Sequence, residues 1–201
     1  MMGCFSEYVA WDTETTGLGS DARIVEIGIV TFSHGEVVHE WSQLFYPQNV
    51  DWDHPHVQKA LEVNRIKRED LVGKPTFELK LPEMLLELST DVWVAHNASF
   101  DEKMLTQEFD RLHKPHATPP MLVCTMLAAA YTSNERRNKL QDVAARFHVK
   151  QEDAHRAVVD ATVCGRVFWE MLRQKIVPDS VEGMREFMLK AEKSWKSRAR
   201  W

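Results

Sequence analysis

The sequence predicts an α/β fold in which a mixed β-sheet carries helices on its faces. Three observations predict it. Short apolar runs bounded by turn residues, at 8–11, 24–30, 37–45, 92–95 and 121–124, read as five strands. Segments with apolar residues at helical spacing separate the later strands, and this interleaving argues for helices laid on a sheet. The early strands are joined through a hairpin turn, so the sheet is mixed rather than purely parallel.

The first strand, Tyr8-Val9-Ala10-Trp11, runs into Asp12 and Glu14 at i and i+2. Strand alternation projects both carboxylates from one face. Close carboxylates repel, and one pKa rises unless something positive lies between them. A divalent cation is the natural neutraliser, because hard cations prefer carboxylate oxygen. A solvated strand end or a paired charge is the alternative. Ile24-Val25-Glu26-Ile27-Gly28-Ile29-Val30 reads as the second strand and 37–45 as the third, with Ser33-His34-Gly35 as the turn between them.

Residues 47–76 are more polar, carry Pro47, Pro55 and Pro75, and read as loops around a short helix near 57–62. The stretch 77–88 places Leu81, Leu85 and Leu88 at helical spacing. After Asp91, Val92-Trp93-Val94-Ala95 is a strand, and a helix over 100–112 gathers Phe100, Met104, Leu105, Phe109 and Leu112 on one side. Met121-Leu122-Val123-Cys124, reached through Pro119-Pro120, is the fifth strand. Helices follow at about 125–131, 139–147, 155–173 and 180–196.

At 201 residues, with 44% hydrophobic and 27% charged content, the chain fits one globular unit able to bury a real core. No run approaches the roughly 20 apolar residues a bilayer span needs, and Glu7 and Asp12 interrupt any secretory-like start. Cys4, Cys124 and Cys164 are three in number and far apart, which predicts reduced thiols in a cytoplasmic protein, most of them small core residues. The net charge of −5 does not announce a nucleic-acid binder. Between Arg185 and Arg200, however, six basic residues stand against two acidic ones. Val181, Met184, Phe187, Met188 and Ala191 form an apolar stripe there. The tail is a packing helix, or its basic residues track phosphates.

Two more acids stand at element ends. In His96-Asn97-Ala98-Ser99-Phe100-Asp101-Glu102, the pair Ser99 and Glu102 has the spacing of a capping box, which starts a helix at Phe100. Asp101 then lies in the first turn, just past the carboxyl end of a strand, where α/β sheets place ligands. The helix dipole alone would also favour an acid there. Five residues of helix turn through about 500°, so His155 and Asp160 serve one site only if His155 lies at or before the first turn. Asp160 interrupts an apolar stripe of Val159, Val163, Val167 and Met171, and an i,i+4 pair with Arg156 is its local alternative.

Together these segments resemble the DEDDh branch of the DnaQ-like 3′–5′ exonucleases, close to proofreading epsilon-type subunits and exonuclease X. Asp12-Thr13-Glu14-Thr15-Thr16-Gly17-Leu18 matches the first motif, His96-Asn97-Ala98-Ser99-Phe100-Asp101 the second, and His155 with Asp160 the third. The resemblance spans about residues 7 to 173. It implies a ribonuclease-H-like fold with a five-stranded mixed sheet flanked by helices on both faces. It also implies an exonuclease domain over 1–175 and a helical, basic extension over 176–201.

By the same resemblance, two Mg²⁺ or Mn²⁺ ions are held by Asp12, Glu14, Asp101 and Asp160, and His155 takes a proton from the attacking water. Thr13, Thr15, Leu18, His96, Asn97 and Phe100 contact the terminal nucleotide. The expected partner is a nucleic-acid 3′ end, single-stranded by preference, with a DNA polymerase as a further partner and no membrane. DNA and RNA are not separated by these motifs, since discrimination of the 2′-hydroxyl depends on pocket shape. An idle binding or polymerase-accessory module is the reading from another class, and the intact acids argue against it. Trp11 and Asn64 depart from the family pattern, which has a smaller residue or Phe before the first acid and often His-Gly where Asn64-Arg65 stands.

Overall fold

A computed structural model describes residues 4–133, 135, 138–150 and 156–198. Its five strands are β1 (Glu7–Thr15), β2 (Ile24–Ser33), β3 (Glu36–Leu44), β4 (Val92–Ala95) and β5 (Met121–Cys124). They form one sheet in the order β3-β2-β1-β4-β5. β1 runs antiparallel to β2 and β2 to β3, whereas β4 is parallel to both β1 and β5. The expected mixed sheet is therefore present, with the hairpin turning at His34 (φ 53°) and Gly35 (φ 82°).

Strand alternation divides the core into two sides. Tyr8, Ala10, Val30, Phe32, Val94 and Val123 face one cluster, while Val9, Trp11, Ile27, Ile29, Trp93 and Ala95 face the other. The first cluster is covered by α5 (Thr125–Thr132), α6 (Leu140–Arg146), α7 (Ala157–Arg173) and α8 (Val181–Arg198). The second is covered by α3 (Phe77–Glu87) and α4 (Ala98–Arg111). Trp11 lies on the face opposite Asp12 and meets Trp93 edge-on, with ring centroids 5.8 Å apart.

A short satellite core of Val25, Ile66 and Leu71 lies under α1 (Pro55–Asn64) and α2 (Arg68–Leu71). The four-residue α2 has no apolar periodicity to announce it and was not expected. Two other expectations change. α4 starts at Ala98, two residues early, because Asn97 adopts a left-handed conformation (φ 62°) that turns the chain from β4 straight into the helix. The Ser99 capping box is thus replaced by a backbone turn, and Asp101 keeps its place in the first turn. In α3, Leu81 and Met84 are buried while Leu85 is exposed, which rotates the buried face by one residue. Among the cysteines, Cys124 and Cys164 are buried as expected, whereas Cys4 is exposed before the first strand.

Two ion pairs, each with a buried carboxylate, fasten helices to the sheet. Glu108 of α4, 1% exposed, accepts from Arg23 Nε at 2.8 Å and Nη2 at 2.9 Å, and from the Ile24 amide at 3.2 Å. Glu26 of β2, 0% exposed, receives Arg156 at the head of α7. Helix α8 packs along α5 and β5, with Met184 and Ala191 buried and Tyr131 edge-on to Phe187 at 5.3 Å. Among the described residues, no helix is long and apolar enough to cross a membrane.

Candidate active site

The site is built where β1 ends. Asp12 and Glu14 follow Tyr8 and Ala10 on the strand face that packs under α7, and Asp160 comes from the first turn of that helix. One carboxylate oxygen from each of Asp12, Glu14 and Asp160 can be chosen so that all lie within 4.8 Å of one another. The ladder to β2 is irregular here: Glu14 pairs with Glu26, but Thr15 pairs with Ile24. Such a bulge twists the strand and redirects the side chains beyond it. Asp101 approaches β1 from the other side. Its Oδ1 accepts from the Thr13 amide at 3.0 Å and the Thr13 hydroxyl at 2.7 Å.

These acids are placed at electrostatic cost. Burial, then the charges of Asp101, Glu14 and Asp160, hold the Asp12 carboxyl well above its usual range. Glu14 is pushed up to about 8, first by burial, then by Asp160, Glu26 and Asp101, with Arg156 opposing. Burial also raises Asp101, against the two hydrogen bonds from Thr13. A positive charge entering such a cluster favours its ionised form. Its donors are all hard oxygens, and among the described residues no histidine or cysteine shares the cluster, so the set fits a hard divalent cation.

Beside the acids, a cleft of about 850 Å³ runs from Thr13 past Leu18 to the face of α1. Of the residues expected at the terminal nucleotide, Thr13, Thr15, Leu18 and Phe100 line it, and Leu18 is 76% exposed within it. His96 and Asn97 are placed elsewhere. The His96 ring is held between Thr125 Oγ1 (2.9 Å, Nδ1) and the Asn138 carbonyl (2.8 Å, Nε2), and burial lowers its pKa to about 4. Asn97 lines a separate cavity of about 500 Å³ between α4, β5 and α8. His155 lies outside the described residues. Arg156, its neighbour in sequence, stands at the N-cap position of α7 and reaches Glu26.

Sequence reasoning missed two contributors. Val57, Ala60 and Val63 of α1 line the same cleft as Leu18, and nothing in a polar linker pointed to them. Glu26 did leave a signal, a single charge inside an apolar strand, which demands a buried partner. Asn64 has a role as well. Its Nδ2 donates to the Thr15 carbonyl at 2.9 Å and ties the end of α1 to the end of β1.

Comparison with known proteins agrees with this geometry. The family described as Exonuclease (RNase_T) matches residues 9–168. The DNA polymerase III subunit epsilon of Treponema pallidum is 34% identical over 168 residues, covering 82% of this chain and 76% of that protein. The PolC-type DNA polymerase III of Halalkalibacterium halodurans is 28% identical over 169 residues, and this chain spans only 11% of its length. Among solved structures, exonuclease X in complex with 5′ overhanging duplex DNA superposes with a TM-score of 0.69 at 24% identity, covering 90% of this chain and 99% of that one. The nuclease domain of 3′hExo, a DEDDh family member bound to rAMP, gives 0.70 at 15% identity over 86% of this chain and 95% of that one. At these identities the superpositions establish the fold, a ribonuclease-H-like sheet, and the sequence matches establish the family. The chain belongs to the RNase_T exonuclease family, DnaQ-like in its sequence matches.

Proposed function

We propose that this chain removes nucleoside 5′-monophosphates one at a time from DNA 3′ ends, single-stranded by preference, in proofreading or repair. The observation that carries the reading is the convergence of Asp12, Glu14 and Asp160 within 4.8 Å at the head of a cleft of about 850 Å³. Asp12, Glu14, Asp101 and Asp160 would hold two Mg²⁺ or Mn²⁺ ions. Those ions would stabilise the attacking and leaving oxygens of an in-line phosphodiester displacement. His155 acts as the general base, taking a proton from the attacking water, a task suited to an imidazole. Thr13 and Thr15 contact the terminal nucleotide, Leu18 wedges against its base and Phe100 lines the pocket. The epsilon relative favours DNA over RNA and a polymerase as partner, in the cytoplasm. The acids and cleft fall within 1–175, and 176–201 is a helical extension.

The test is digestion of labelled single-stranded, duplex and mismatched DNA, with RNA of the same sequence, in Mg²⁺. The expected result is stepwise shortening from the 3′ end with 5′-monophosphate products, abolished by chelation. Asp12→Ala and His155→Ala should each lose roughly a thousandfold in kcat or more. Full activity in either variant, or after exhaustive chelation, would overturn the mechanism. Faster digestion of RNA than of DNA would reassign the substrate to an exoribonuclease.

A further inference from the structure

Glu26 stands on β2 directly across from Glu14, with no exposed surface. A carboxylate buried beside other carboxylates is costly unless it is paired and hydrogen-bonded. It is both. Oε1 accepts from Arg156 Nη2 at 2.7 Å and Nε at 3.1 Å, and from Ser42 Oγ at 3.2 Å. Oε2 accepts from Arg156 Nε at 3.1 Å and from the Ala157 amide at 3.2 Å. Arg156 is the N-cap of α7 and its own side chain caps nothing. The strand carboxylate therefore satisfies a free amide of the helix's first turn, where the helix dipole also favours negative charge. Two residues on, Gly28 brings β2 flush with the same turn, since a Cβ there would fall 2.2 Å from the Val158 amide nitrogen.

We infer that Glu26 and Arg156 are positioning residues whose ion pair docks the first turn of α7 and so sets where Asp160 stands relative to Asp12 and Glu14. This inference rests on the proposed metal-dependent reading of the acids. Asp160 lies one turn beyond the clamp, its amide donating to the Arg156 carbonyl at 3.0 Å. Asp160, Asp12 and Glu14 repel one another whenever they are ionised without a cation. That repulsion pushes the head of α7 away from β1. The guanidinium fork and the capped amide hold the head in place, while the Gly28 contact leaves it no room to slide.

Lysine cannot reproduce a planar two-nitrogen fork, so Arg156→Lys keeps the charge and loses the geometry. The Arg156 side chain is 51% exposed, so the fold tolerates this change better than one in the core. Glu26→Gln is the near-isosteric partner variant. The measurements are Mn²⁺ binding by isothermal titration, thermal melting, and kcat and KM on a single-stranded oligonucleotide in Mg²⁺. Each variant should weaken Mn²⁺ binding and lower kcat about tenfold or more. KM should stay within about twofold, because the cleft walls are untouched. The double variant should lose little more than either single one, since both break the same contact. Arg173→Gln, which breaks a surface ion pair at the other end of α7, should change neither quantity. If both variants melt lower while Mn²⁺ binding and kcat stay at wild-type levels, the pair is only structural and the inference fails. If Glu26→Gln does not fold, Arg156→Lys decides alone. A wild-type chain that digests no oligonucleotide overturns the proposed function, and the Mn²⁺ comparison still decides the clamp.

Discussion

At the scale of single residues, the site trades stability for chemistry. Folded Glu14 keeps its proton up to about pH 8, whereas its ordinary pKa is 4.5. Between those values the folded state binds more protons than the unfolded one, so stability falls as pH rises through that window. Asp12 and Asp101 are shifted in the same direction and add to the effect. His96 works oppositely, but its contribution is lost only as pH falls below its ordinary 6.5. The metal-free protein should therefore melt several degrees lower at pH 8 than at pH 6.5. Added Mn²⁺ should raise the melting temperature more at pH 8, where ionised acids are available to it. Scanning calorimetry at both pH values with and without the ion checks this, and a metal-free melting temperature that rises with pH would contradict it. Removing one charge tests the same physics: Asp12→Asn should stabilise the metal-free protein at pH 8 by roughly 1 kcal/mol while abolishing the Mn²⁺ response.

Among secondary-structure elements, legibility followed the range of the interactions. All five strands and the longer helices were readable, because each carries its own periodicity. So was the pairing of Asp12 with Glu14, a property of strand alternation, and the first-turn place of Asp101; Asp160 was read as lying inside a helix from 155, and the observed start at Ala157 puts it in the first turn. The partner of Glu26 was not readable, because Arg156 lies 130 positions away and only the docking of α7 brings them together. The inward turn of His96 depends likewise on Thr125 and Asn138 from other segments. The end of α1 carries a local backbone strain. Arg65 is held at φ 55°. A side chain in the left-handed region costs about 1 kcal/mol relative to glycine. Arg65→Gly should therefore raise the denaturation midpoint, with the hydrogen bond from Asn64 to Thr15 retained; a lower midpoint would show that the arginine side chain contributes more than the backbone strain.

Across the whole molecule, the tail belongs to the body. Met184 of α8 is fully buried in the same cluster as Val123 and Phe168, and Val177 joins them. Met184→Ala should cost about 2–5 kcal/mol, the usual penalty for emptying such a position, read as a shift in urea midpoint at constant slope. An effect below 0.5 kcal/mol would mean that α8 is only loosely attached. Several basic residues of α8 are engaged on the surface: Lys190 pairs with Glu186, Lys196 with Glu192, and Arg198 donates to the Ala130 carbonyl. That favours the packing reading of the tail over phosphate tracking.

The order in which the acids occur along the chain has its own consequence. Asp12 and Glu14 come from the first strand, Asp160 from the next-to-last helix, and that helix docks directly on β1 and β2. A growing chain leaving the ribosome therefore carries two of the three converging carboxylates for most of its synthesis without the third. Nor does a proteolytic fragment that has lost α7 contain the triad. The cluster of three carboxylates is thus incomplete until the chain has been made and folded as far as α7, and a cut before α7 takes it apart again.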